Sequence, residues 1–302
     1  MDVDKYLEDI LKAQTLKDDG EEMKALRSRR DEVEALLRKE FAKSNLVIRY
    51  AGSLSKGTMI LESYDLDIAC YFLNGDTQAG DALKDIFRNV RAALAKKYTV
   101  ESKTSALRLK GLDGDVHGAD FHIDVVPGRF TGDEQKDVYL HRENDEKTRL
   151  KTNLQTHVDH VRDSGVRPAI RMVKYWRERN GVEIRTFALE LLIIDLLKDK
   201  KDRSLQTQLA HVWTEFRDHS ASLSAKDPAN PDGNDLSGVL SESVRAQLRQ
   251  VSDRTLKQVD VGDWEAIFGK TAGSSGAARV AALSAAIASR ASAQTFKPYA
   301  DA

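Results

Sequence analysis

The chain has 302 residues, 41% hydrophobic and 31% charged, with a formal net charge of −1. That make-up belongs to an ordinary globular protein long enough to bury a large core, and it excludes disordered and fibrous classes. Near-neutrality supplies no bulk steering toward a polyanion, so any such surface must be a local patch. The single cysteine, Cys70, excludes an internal disulfide framework and suits a reducing cytoplasm, where the protein is expected. The start, MDVDKYLEDIL, has no basic segment followed by an apolar one, so no signal peptide is expected. The most apolar run, Phe187 to Leu197, is broken by Glu190 and Asp195. It is also shorter than the roughly 20 residues of a membrane span, so no membrane partner is expected.

In chain order, residues 3 to 42 read as two helices broken near DDGEE, the second carrying Leu26, Val33, Leu36, Leu37 and Phe41 at helical spacing. A strand follows at NLVIRYAG, then the glycine-bounded GSLSKGT, then a strand at DLDIACYF. DALKDIFRNVRAALAKKY is an amphipathic helix. Two further strands are predicted at TVESKTSALRLKG and ADFHIDVVPG, the second closed by Pro127. From Asn153 onward the chain reads as helix, with one helix starting at Pro168 and stopping at Gly181. AKDPANPDGNDLSG (225 to 238) is the clearest turn-rich break. Residues 271 to 302, rich in Ala, Ser and Gly, predict a flexible tail with one weak helix around Arg279 to Arg290. The layout is α+β. It divides into a core with the N-terminal helices (1–165), a helical lobe (166–270) and the tail (271–302).

Alternation along DLDIACYF puts Asp65, Asp67, Ala69 and Tyr71 on one face, and Leu66, Ile68, Cys70 and Phe72 on the other, which is a core face. The two carboxylates lie about 7 Å apart along the strand, a separation that suits convergence on hard cations. In ADFHIDVVPG, Phe121, Ile123 and Val125 face the core, while Asp120, His122 and Asp124 face away. If the two strands are neighbours, three carboxylates gather, and they repel unless a divalent cation neutralises them. Oxygen-only ligands favour Mg²⁺. A lone Asp-x-Asp is common on solvated strand faces. Asp124 on a second strand, and Gly52-Ser53 a dozen residues upstream, shift the balance to a catalytic reading. Gly52 allows backbone N–H groups close to an anion, Ser53 adds a hydroxyl and Lys56 a point charge within the same loop.

GSLSKGT, DLD and DFHIDVVP together resemble the DNA polymerase β type nucleotidyltransferase core. VKYWRERNG, RTFALELLIIDLL, DPANPDGN and DWEAIFG narrow the resemblance to the bacterial cyclic-oligonucleotide synthases (CD-NTases). These are relatives of the animal 2′,5′-oligoadenylate synthases and of cyclic GMP–AMP synthase, and the oligoadenylate-synthase-like branch is the nearest. The resemblance runs from about residue 25 to 270. It implies a polymerase-β-like mixed sheet joined to a helical lobe, with the active site in the cleft between them. It makes Asp65, Asp67 and Asp124 ligands of two Mg²⁺ ions, with Mn²⁺ as a substitute. Asp124 would also help deprotonate the attacking ribose hydroxyl. Gly52, Ser53 and Lys174 would hold the donor triphosphate, and Thr186 would touch phosphate or base. The implied activity is synthesis of a cyclic di- or trinucleotide from nucleoside triphosphates, ATP among them, with release of pyrophosphate in antiphage (CBASS) signalling. A HORMA-type protein is an implied candidate activator. A linear nucleotide-adding enzyme and a catalytically silent binding module are the competing readings.

Other features weigh less. His122 suits a hydrogen bond beside the metal site, and His117 reads as loop surface. His157 and His160, at i and i+3, lack a third zinc ligand nearby and read as surface helix. Glu190 reads as a buried, paired carboxylate. The basic clusters Arg27 to Arg30 and Lys198 to Arg203 are mixed with acids and lack interleaved aromatics, so no direct nucleic-acid activation is expected.

Overall fold

The computed structural model describes residues 2–110, 123–143, 145 and 147–270. The expectations for His117, Asp120, Phe121 and His122, for the tail from 271 to 302 and for its helix lie outside the described residues.

The elements run α1 (Val3–Ala13), α2 (Glu21–Glu40), β1 (Leu46–Tyr50), α3 (Gly52–Lys56), β2 (Leu66–Phe72), α4 (Leu83–Leu94), β3 (Thr99–Ser102), β4 (Leu107–Lys110), β5 (Ile123–Phe130), β6 (Val138–His141) and β7 (Arg149–Thr152). Then come α5 (Leu154–Arg162), α6 (Arg167–Asn180), α7 (Thr186–Leu196), α8 (Leu205–Asp218), α9 (Glu242–Asp260) and α10 (Trp264–Phe268). The strands form one mixed sheet in the order β1-β2-β5-β4-β3, with β6 also on β5 and β7 on β6. β2 and β5 run parallel, and the other pairs are antiparallel. This is the expected α+β architecture, a core sheet followed by a helical lobe.

Leu66, Ile68, Cys70 and Phe72 join Ile123 and Val125 in a core closed by residues of α2 and α4. Ala69 and Tyr71, on the opposite face, pack with Phe130, Val138 and Leu140 in a smaller cluster. Both faces of β2 are therefore buried at its far end. The acids of these two strands, Asp65, Asp67 and Asp124, lie only where β2 and β5 begin, and that localises the site.

Three local expectations change. TVESKTSALRLKG is a tight hairpin rather than one strand: Ser102 pairs with Leu107, and Lys103 N–H donates to Ala106 C=O at 2.8 Å. Pro127 does not close β5, which continues to Phe130. On the side facing away from β2, residues 123–125 pair with β4 and 128–130 with β6, so Pro127 falls in the gap and its missing N–H costs no ladder bond. GSLSK is a short helix rather than a loop, ended by Gly57 at φ +70°.

The helical lobe is built around Trp176, Trp213 and Trp264, all fully buried, with Trp213 about equidistant from the other two at 6.1 and 6.0 Å between centroids. α1 belongs to this core rather than to the sheet. Tyr6, Leu7 and Ile10 lie in the tryptophan cluster, and Tyr6 Oη donates to Gly269 C=O at 2.5 Å. The i, i+1, i+4 stripe of α1 thus packs into the helical lobe against α6 and α8, whereas α2 covers the sheet. Among the described residues, no helix is long and apolar enough to cross a membrane.

Candidate active site

The parallel register of β2 and β5 sets Asp67 directly opposite Asp124. Asp65 lies two residues before Asp67, just ahead of β2. Burial, then the carboxylates of Asp124 and Asp65, push Asp67 up to about 6, against the opposing charges of Lys56 and Arg108. The three carboxylates are therefore electrostatically coupled. As the side chains lie, they do not close into a ready-made cage: among the described residues no three His, Cys, Asp or Glu side chains are grouped to hold a metal ion. Asp124 is already engaged. Arg108 on β4, its cross-strand partner, donates from Nε and Nη2 to Oδ1 and Oδ2, both at 2.8 Å.

Gly52 packs against Asp67. It adopts φ +69°, and a Cβ placed on it would lie 1.7 Å from Asp67 Oδ2. Glycine is required twice over, by the left-handed backbone and by the carboxylate. Ser53 follows in the first turn of α3, its carbonyl accepting from Thr58 N–H at 2.9 Å. Gly52→Ala is expected to abolish activity and to cost at least about 1–2 kcal/mol in chemical denaturation, the left-handed penalty alone. Gly57→Ala is the comparison: the same φ sign, but only the Arg167 guanidinium tip to displace. It should lose stability while keeping activity.

The helical lobe closes on this corner through buried charges. Glu190 on α7 is fully buried and accepts from Lys56 Nζ at 2.8 Å and Thr58 Oγ1 at 2.7 Å. Lys174 on α6 is 2% exposed and donates to Thr58 C=O at 2.8 Å. Burial pulls Lys174 down to about 8, with Glu190 opposing the shift. Burial pushes Glu190 up, but Lys56 and Lys174 outweigh it and hold it below the usual carboxylate range. Lys56, expected as a loop cation for phosphate, is instead a buried partner of Glu190 that also lies over the Phe187 ring at 5.2 Å. Thr186 opens α7, and its hydroxyl accepts from Arg177 of the same lobe at 2.7 Å.

The DPANPDGN turn is tied down rather than loose. Asp227 is fully buried, meets His157 Nε2 at 2.7 Å and accepts from Asn234 Nδ2 at 2.7 Å and Ala229 N–H at 2.8 Å. His157, expected on a solvated helix face, also packs on Phe187 at 4.8 Å between centroids. Arg108 and the Glu190 partners were absent from the sequence expectations. The strand pattern of LRLK, with Arg108 between two buried leucines, was the available signal for Arg108.

No family model matches the chain. In sequence it is 25% identical over 272 residues to the cyclic AMP-AMP-AMP synthase of Escherichia coli (strain MS 115-1), spanning 73% of this chain and 81% of that protein. The structure of E. coli MS115-1 CdnC with ATP shares its fold at TM-score 0.63 and 18% identity, over 88% of this chain and 98% of that one. CdnC has also been solved in a CdnC:HORMA-deltaN complex. The CD-NTase CdnG of Bradyrhizobium diazoefficiens, in complex with GTP, matches at TM-score 0.66 and 14% identity, over 96% and 98%.

Fold and comparisons define the structural class: a polymerase-β-like core joined to a helical lobe, the architecture of the CD-NTase structures. Within that class the chain resembles the bacterial CD-NTases, a cyclic AMP-AMP-AMP synthase among its relatives.

Proposed function

We propose that this enzyme joins nucleoside triphosphates, ATP among them, into a cyclic di- or trinucleotide messenger with release of pyrophosphate, in cytoplasmic antiphage (CBASS) signalling. The observation that carries the proposal is the register of Asp67 opposite Asp124, with Gly52 packed on the Asp67 carboxylate. The similarity to a cyclic AMP-AMP-AMP synthase favours a triadenylate ring. The CdnC:HORMA-deltaN complex favours a HORMA-type activator over a nucleic acid.

The donor set fits Mg²⁺. It is made of carboxylate oxygens only, and their mutual repulsion persists despite Lys56 and Arg108. Asp65, Asp67 and Asp124 would hold two such ions, with Mn²⁺ as a substitute. When bound, the ions supply positive charge to an in-line displacement at phosphorus. The chain's own residues do the rest. Gly52 lets the backbone approach the triphosphate, Ser53 offers its hydroxyl, and Lys174 brings a cation from the helical lobe. Thr186 contributes a polar contact to phosphate or base. A carboxylate oxygen of Asp124 takes the proton of the attacking ribose hydroxyl. Lys56, already matched by Glu190, orders the floor of the cleft rather than binding phosphate directly.

The test is product analysis. Purified protein with Mg²⁺, all four nucleoside triphosphates and a HORMA-type partner should release pyrophosphate and yield a phosphatase-resistant product, sized by mass spectrometry. A phosphatase-sensitive product would replace this reading with linear nucleotide addition. Absence of pyrophosphate under every activator condition would favour a silent binding module.

A further inference from the structure

Four charged residues stand in one row across the sheet. Glu101 on β3 pairs in register with Arg108 on β4, Arg108 with Asp124 on β5, and Asp124 with Asp67 on β2. Residues in register on neighbouring strands share a face, so the row reads acid, base, acid, acid toward Gly52. The base takes both oxygens of Asp124 in a fork at 2.8 Å, with the two side chains 19% and 15% exposed. Bidentate geometry makes this one of the stronger forms of ion pair. The outer acid, Glu101, is solvent-exposed and pairs with Lys110 at 2.5 Å.

We propose that Arg108 is a built-in counter-cation for Asp124: it holds that carboxylate in the cation-free enzyme and hands it over when a divalent cation arrives, turning toward Glu101. The proposal rests on the metal-dependent reading above. A guanidinium that occupies both oxygens and carries like charge opposes a divalent ion at the same carboxylate. Glu101 gives Arg108 a second partner of opposite sign on its other flank, so the displaced guanidinium is not left uncompensated. Arg108 is thus a positioning residue that sets both the resting place of Asp124 and the cation concentration at which the site loads.

The experiment is Mn²⁺ binding to the nucleotide-free protein, followed by loss of the free-ion electron paramagnetic resonance signal. Arg108→Gln keeps a hydrogen-bond donor, removes the charge and should bind Mn²⁺ roughly tenfold more tightly than wild type, the scale of one charge-assisted contact. Arg108→Lys keeps the charge without the fork and should fall between the two. Glu101→Gln should bind Mn²⁺ more weakly than wild type. The Mn²⁺ concentration for half-maximal turnover should move in the same direction in each variant. Circular dichroism before titration, with the lysine variant as a second measure, separates these effects from loss of fold. Unchanged Mn²⁺ affinity in both Arg108 variants overturns the counter-cation role, and unchanged affinity in Glu101→Gln overturns the hand-over. If wild type and Asp67→Asn both lack saturable Mn²⁺ binding, the metal reading itself fails and takes the proposal with it.

Discussion

Asp67→Asn should cut turnover roughly a thousandfold or more, the scale of losing one preorganised charge at a reacting centre. It should do so without unfolding the protein at neutral pH. Asp67 carries a folded-state value of about 6 against an ordinary value of 3.8. Between those pH values the folded state holds more protons than the unfolded chain, so stability falls as pH rises through that window. Above about 6 the penalty is complete, with an upper figure of about 3 kcal/mol in the cation-free protein. Asparagine carries no such penalty. Urea denaturation in chelator should therefore show wild type less stable at pH 7.5 than at pH 5 through this group. The variant should show a smaller difference and be at least as stable as wild type at pH 7.5. An asparagine variant clearly weaker than wild type at pH 7.5 would mean that Asp67 is a structural carboxylate.

The same residues show why the site was half legible in the sequence. Period-two alternation from Leu66 to Phe72 is a local property, so the core face of β2 and the opposite placement of Asp65 and Asp67 could be read directly. Pro168 and Gly181 likewise bracket α6 by their own backbone preferences, the glycine taking φ +63° at the C-cap. Arg108 carries no such mark. Its partner lies on another strand, sixteen positions later, and only the register of β4 on β5 brings the two together. β6 and β7 are four residues each, too short for a periodic pattern to stand out. The stripe on α1 says that the helix is buried on one side, not against what; Tyr6, Leu7 and Ile10 pack in the cluster of the helical lobe. The pairing of Glu190 is legible from its apolar surroundings, but its partners come from more than 130 positions away, from the core to the helical lobe.

That distance gives Glu190 the second large effect. Glu190→Ala removes the carboxylate that accepts from Lys56 and Thr58 and opposes the burial of Lys174. Two buried ammonium groups then lose their counter-charge, a change that costs about 3–5 kcal/mol for a broken buried pair. The pH dependence carries a sign. Lys174 sits at about 8 when folded against an ordinary 10.5, so between those values the unfolded chain holds more protons and stability rises with pH. Without Glu190 the folded value drops further, and the rise should begin below pH 8. Thermal denaturation of Glu190→Ala should therefore show a larger gain from pH 7 to pH 9 than wild type shows. Replacing the ion pair as a unit, Lys56→Met with Glu190→Leu, should recover much of the loss, since apolar packing can substitute for a buried pair. If Glu190→Ala alone unfolds at the wild-type temperature at pH 7, the buried charges between core and helical lobe are not coupled, and Lys174 is set by its desolvation alone.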